Sequence, residues 1–122
     1  MLFRSFTLTT LSNGNLGLLA NMAKHAGLPW DLILSAEVFR HYKPDPETYL
    51  GVAEIFDLQP SEVMLVAAHE DDLDAAKACG LQTAFIARPD EYGPDIRVPT
   101  GDLTRFTLAA RDLNHLAEQL GT

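Results

Sequence analysis

Three short clusters carry residue types from which a reactive site could be built. The first is Leu11-Ser12-Asn13-Gly14, a hydroxyl, an amide and a glycine between a strand-like and a helix-like stretch. Backbone N–H groups at such a helix start attract anions. Ordinary helix capping by Ser12 or Asn13 accounts for the same residues. The second is Lys43-Pro44-Asp45-Pro46-Glu47-Thr48-Tyr49. A residue before proline is pushed out of helical conformation, so Lys43 rides on stiff, extended backbone. A fixed ammonium suits an anion or a carboxylate nucleophile. A solvated lysine beside a proline-started helix is the plainer alternative. The third is Val66-Ala67-Ala68-His69-Glu70-Asp71-Asp72, a histidine and three acids ending the most hydrophobic run. Capping by Asp72, with Asp74 favoured by the helix dipole, is its plain reading. Its functional reading is that Asp72 pairs with Lys43 and fixes the ammonium.

Positioning these clusters requires alternating strands and helices. Phe6–Leu11 is β-branched and aromatic and reads as a strand, stopped by Ser12-Asn13-Gly14. Asn15–His25 carries Leu16, Leu19, Ala20 and Ala23 at helical spacing, with Gly27 as its terminator. Leu32–Ser35 reads as a second strand and Ala36–Asp45 as loop. Pro46–Phe56 reads as helix, with Asp45 as N-cap, Pro46 at its first position and Tyr49, Ala53 and Phe56 as its buried stripe. Glu62–Ala68 is nearly all apolar, as expected of a parallel strand covered on both faces. Asp72–Cys79 is a short helix ended by Gly80, Gln82–Ala87 a strand, Arg88–Asp102 a loop, Thr104–Ala109 a last strand and Asp112–Leu120 a terminal helix. Such alternation predicts an α/β fold, a Rossmann-like parallel sheet with flanking helices and right-handed crossovers. Ligands then bind beyond the carboxyl ends of the strands, where all three clusters fall.

Composition narrows the class. The 122 residues suit one domain, residues 1–122, without repeats or a linker. A hydrophobic fraction of 47% and a charged fraction of 21% exclude a disordered or collagen-like chain. Nine basic against 17 acidic residues give a net charge of −8, which argues against nucleic acid and anionic membranes as partners. The single cysteine, Cys79, excludes an internal disulfide and a cysteine-based zinc site. His25, His41 and His115 show no ligand spacing, so no metal is expected. No run approaches the roughly 18 apolar residues of a membrane span. No signal-peptide core is visible, so cytoplasm is the default location. Cys79, Met22 and Trp30 read as packing residues, and Tyr92 and Asp95 as loop residues.

Taken in order, the three clusters resemble the haloacid dehalogenase superfamily, specifically its type II (S)-2-haloacid dehalogenase-like members. Ser12-Asn13 in TLSNGN resembles the family's second motif. Lys43 through Tyr49 resembles the third, Lys-Pro-x-Pro-x-x-Tyr. Asp72 in LVAAHEDDLDAAKACGLQTAFI resembles the fourth. The resemblance runs from Phe6 to Arg88 and more loosely to the terminal helix. It implies a carboxylate nucleophile that displaces halide from C2 of a 2-haloacid, followed by hydrolysis of the ester, with no cofactor. It also implies that Lys43, Asp72 and Ser12 are catalytic and that Asn13, Tyr49 and His69 contact substrate or water. Lys43 balances charge, Asp72 anchors Lys43, Ser12 and Asn13 orient carboxylates, and Tyr49 supports Lys43 or lines the pocket. His69 stands where the family carries asparagine. Magnesium-dependent phosphatases of the superfamily carry a first acid at the position of Ala68, and alanine cannot ligate Mg²⁺.

The family's aspartate nucleophile and its helical cap precede the second motif, and only five residues precede Phe6. Asp102-Leu103-Thr104 falls last instead of first and follows a turn. The chain is therefore expected to be the C-terminal portion of a dehalogenase-like core, inactive alone, with strand edges open to another chain or a second copy. A non-catalytic module that binds another polypeptide, and a fragment of a Mg²⁺-dependent phosphatase, are the competing expectations.

Overall fold

Strand Gln82–Ile86 (β2) shows how the sequence builds the core. Alternate side chains of a strand face opposite sides of its sheet. Ala84 and Ile86 pack with Ala110 and Leu116, whereas Phe85 packs with Leu73 and Phe106. Both faces are thus covered, as an apolar run in a parallel sheet requires. The computed structural model describes residues 6–14, 17, 24, 30–87 and 103–121. The expected helix at 15–25 is described only at Gly17 and Lys24. Met22, His25, Tyr92 and Asp95 lie outside the described residues.

Strand β1 (Met64–Ala67) pairs in parallel with β2, Met64 opposite Gln82, and β2 pairs in parallel with β3 (Leu108–Ala110), Ala84 opposite Leu108. The resulting order is β1-β2-β3. Just before the β2–β3 ladder, Thr83 and Thr107 exchange bonds from backbone N–H to side-chain hydroxyl, at 3.1 and 3.4 Å. Helices Ala36–Phe39 (α1), Pro46–Ile55 (α2), Glu70–Ala78 (α3) and Leu113–Gln119 (α4) complete the described elements, with short 3₁₀ turns at Pro60–Glu62 and Leu103–Arg105. Leu73 of α3 and Leu116 of α4 cover opposite faces of β2.

Several expectations are corrected. Phe6–Leu11 and Leu32–Ser35 are not ladder strands. They meet through isolated parallel bridges at Thr9–Leu32 and Ser12–Ser35. Side chains take over the intervening bonds: the Thr10 hydroxyl donates to Leu34 O (2.8 Å) and accepts from Leu34 N–H (3.0 Å). Asp31 Oδ2 accepts from Leu8 N–H (2.7 Å). The expected loop 36–45 begins with α1, because the Ser35 hydroxyl caps Glu37 N–H and Arg40, in left-handed conformation, ends the helix. Helix α3 starts at Glu70, two residues before the expected start, with His69 as its N-cap residue. The last strand is Leu108–Ala110, because Leu103–Arg105 coils into a 3₁₀ turn. Val66 is 40% exposed, so β1 is not covered on both faces. Among the described residues β1 pairs only with β2.

Candidate active site

The three clusters converge. Lys43 sits in the turn between α1 and α2, and its backbone is gripped by the Asn13 side chain. Asn13 Oδ1 accepts from Lys43 N–H at 2.8 Å, and Nδ2 donates to Lys43 O at 3.4 Å. Asn13 thus ties the first cluster to the second. Ser12 Oγ accepts from Gly14 N–H at 3.0 Å, while Ser12 O accepts from Ala36 N–H at 2.8 Å. Neither bond uses the Ser12 hydroxyl proton. The expected capping of α2 by the Asp45 carboxylate is not made. Instead Thr48, fully buried, donates both N–H (3.1 Å) and hydroxyl (2.8 Å) to Asp45 O.

Asp72 is the junction. It stands in the first turn of α3, where the helix dipole favours negative charge. Lys43 Nζ donates to its Oδ2 at 2.7 Å, and the Tyr49 hydroxyl donates to its Oδ1 at 2.6 Å. The Lys43 and Asp72 side chains are only 19% and 17% exposed, and Tyr49 is fully buried. Burial, then the hydrogen bond to Asp72, holds the Tyr49 phenol far above its ordinary range, so it stays a donor. An ammonium has three N–H bonds and Asp72 takes one, which leaves two for an anionic group. Tyr49 therefore supports Asp72 directly and Lys43 only through it.

The remaining positions separate. His69 is exposed at the strand end before α3 and gives α3 no side-chain cap. Cys79 ends α3, partly buried, and burial pushes its thiol pKa up. Trp30 is 37% exposed rather than packed. The Arg105 guanidinium, absent from the sequence-based candidates, binds Asp74 (Nε to Oδ1, 2.8 Å) and Glu70 (Nη2 to Oε1, 3.0 Å). It lies 4.2 Å above the centre of the Phe106 ring. His41, read from the sequence as showing no ligand spacing, lies beside Asp45 and Glu47. The His-x-x-x-Asp-x-Glu spacing was the available signal.

A sequence profile for haloacid dehalogenase-like hydrolases matches residues 4–80. The chain belongs to this haloacid dehalogenase-like family. It is 30% identical over 100 residues to an (S)-2-haloacid dehalogenase of Xanthobacter autotrophicus, covering 80% of this chain and 40% of that protein. It is 36% identical over 92 residues to (S)-2-haloacid dehalogenase 1 of Pseudomonas sp. strain CBS-3, covering 71% of this chain and 40% of that one. A crystal structure of an L-2-haloacid dehalogenase superposes with a TM-score of 0.89 at 54% identity, over 94% of this chain and 51% of the other. The chain thus spans about half, or less, of the haloacid dehalogenases it matches, and the profile match at residues 4–80 includes Ser12, Lys43, Tyr49 and Asp72. The α/β fold, a parallel three-stranded sheet with flanking helices, is that of the haloacid dehalogenase-like family.

Proposed function

We propose that this chain supplies the lysine-bearing portion of a metal-independent 2-haloacid dehalogenase site, with the aspartate nucleophile provided from outside these 122 residues. In this reading a carboxylate oxygen forms a bond to C2 as the carbon–halogen bond breaks and halide leaves. Water then adds to the ester carbonyl, releasing the 2-hydroxy acid and restoring the carboxylate. Lys43, fixed by Asp72, offsets the negative charge of nucleophile and substrate. The Ser12 hydroxyl proton serves a carboxylate. Asn13 acts by holding the Lys43 backbone, and His69 faces water at the strand end. The observation that carries the reading is the 2.7 Å Lys43–Asp72 contact, with Tyr49 on the second carboxylate oxygen. Ala68 offers no oxygen ligand where a magnesium-dependent phosphatase would need one.

The second edge of β1, which no described residue pairs, and the exposed Val66 favour a compatible second reading: the chain pairs with another polypeptide along that edge. Halide release from (S)-2-chloropropionate tests both. The chain alone should release none. Mixing it with a separately produced polypeptide carrying the preceding part of the Pseudomonas relative should restore release, and Lys43→Met should abolish it. Halide release by the chain alone contradicts the first reading. Absence of binding between the two polypeptides contradicts the second.

A further inference from the structure

The turn that carries Lys43 also carries a set of ligand atoms that the dehalogenase reading does not use. His41 precedes Lys43 by two residues, and Asp45 and Glu47 follow it by two and four. His41 Nδ1 lies 3.5 Å from Asp45 Oδ2 and 3.9 Å from Glu47 Oε2. One ligand atom from each of the three falls within 4.8 Å of the other two. Two ligands of a tetrahedral first-row dication, at bond lengths of about 2.0–2.1 Å, stand about 3.4 Å apart. The observed separations therefore need only small rotamer adjustments. The side chains can make them, being 44%, 54% and 56% exposed.

The conformation of Asp45 is the second consideration. As the N-cap residue of α2 its carboxylate would ordinarily accept from the helix N–H groups, yet it makes no such bond. The backbone around it is nevertheless fixed. Asp45 N–H donates to Tyr42 O at 2.8 Å, and buried Thr48 grips Asp45 O twice. Pro44 and Pro46 restrict the torsions on either side. The carboxylate is thus carried on a stiff turn, beside an imidazole and without a bond to the helix N–H groups. An imidazole with two carboxylates suits zinc, cobalt or nickel, whereas magnesium and calcium prefer all-oxygen shells. The net charge of −8 draws cations to the surface.

We propose that His41, Asp45 and Glu47 form a surface site for a divalent first-row transition-metal ion of the zinc class, which staples together the two sides of the Lys43 turn. Asn13 holds the Lys43 backbone from within, and the bound ion would brace the turn from outside. The site is independent of the dehalogenation reading, since none of its three ligands belongs to that chemistry.

Calorimetric titration of the 122-residue chain with Zn²⁺, and separately with Mg²⁺, tests the proposal. One Zn²⁺ should bind per chain, with Mg²⁺ at least about tenfold weaker. The dissociation constant should rise by about tenfold or more in His41→Gln and in the double variant Asp45→Asn/Glu47→Gln. It should be unchanged in His115→Gln. These ligands are exposed and make no capping bond, so the variants should retain the wild-type circular dichroism. Should a variant fail to fold, NMR of the wild-type histidine rings decides: zinc should shift the His41 resonances first. Three results overturn the proposal: no zinc binding up to ~1 mM, unchanged affinity in the folded variants, or shifts confined to other histidines.

Discussion

Two ion-pair networks grow from the first turns of the same helix, α3, and differ in what surrounds them. On one side Asp72 receives Lys43 and Tyr49 in a half-buried setting, with one partner wholly removed from water. On the other, Arg105 lies above the Phe106 ring and bridges Glu70, 14% exposed, and Asp74, 47% exposed. Phe106 in turn stacks on Phe85 at 6.4 Å, and Lys77 Nζ donates to Arg105 O at 2.8 Å. The first network joins two segments distant in sequence, the stretch from Lys43 to Tyr49 and the start of α3. The second clamps the start of the β3 region onto the helix. One acidic helix start thus receives a cation on each side, a lysine on a single carboxylate and an arginine shared between two.

That contrast can be broken by substitution, and the largest expected effect is at the junction. Asp72→Ala strands the Lys43 ammonium and the buried Tyr49 hydroxyl together, so urea unfolding should show a loss of about 2–4 kcal/mol. Asp72→Asn keeps an acceptor for Tyr49 and should lose less. Tyr49→Phe removes a single hydrogen bond to a carboxylate and leaves packing intact. A loss of about 1–2 kcal/mol is expected there. A loss from Tyr49→Phe equal to that of Asp72→Ala would mean that the lysine contributes nothing.

Arg105→Ala should have the smallest effect of the set, and salt should shrink the Asp74 part of it further, because that carboxylate is 47% exposed and exposed charges are screened. Its pH dependence has a definite sign. The hydrogen bond from Arg105 holds the Asp74 carboxyl below its ordinary value, so the native state binds fewer protons than the unfolded chain. The stabilisation is full above the unfolded carboxylate value of about 3.9 and fades as pH falls through the lowered native value. Wild type and Arg105→Ala should therefore converge in stability on the acid side. A difference that persists in acid and in high salt would show that Arg105 acts by stacking on Phe106 and not through its carboxylates.

Much of this arrangement was legible in the sequence because its signals are local. Asp45-Pro46 marks the start of α2, the apolar run at Gln82–Ile86 marks β2, and the terminal helix expected at Asp112–Leu120 is α4, with Asp112 as its N-cap accepting from His115 N–H at 2.7 Å. The Lys43–Asp72 pairing was the functional reading of the third cluster and is present at 2.7 Å. What escaped depends on contacts between distant segments or on elements too short for periodicity. The Thr10 hydroxyl replaces ladder bonds with Leu34, so a β-rich stretch makes only bridges. Helix α1, four residues long, has no visible period and is defined by its two ends. Arg105 finds its acids across 31 and 35 residues. Asn13 carried the right letter, but its grip on the Lys43 backbone spans 30 residues, which no spacing rule reveals.

The central claim is that Asp72 holds the Lys43 ammonium in place as a preformed charge. A double-mutant cycle of Lys43→Met and Asp72→Asn, read by urea unfolding at low and high salt, tests it most directly. A coupling of about 1 kcal/mol or more that survives added salt is expected, larger than the same cycle gives for Arg105 and Asp74. Additive losses, with no coupling between Lys43 and Asp72, would contradict it.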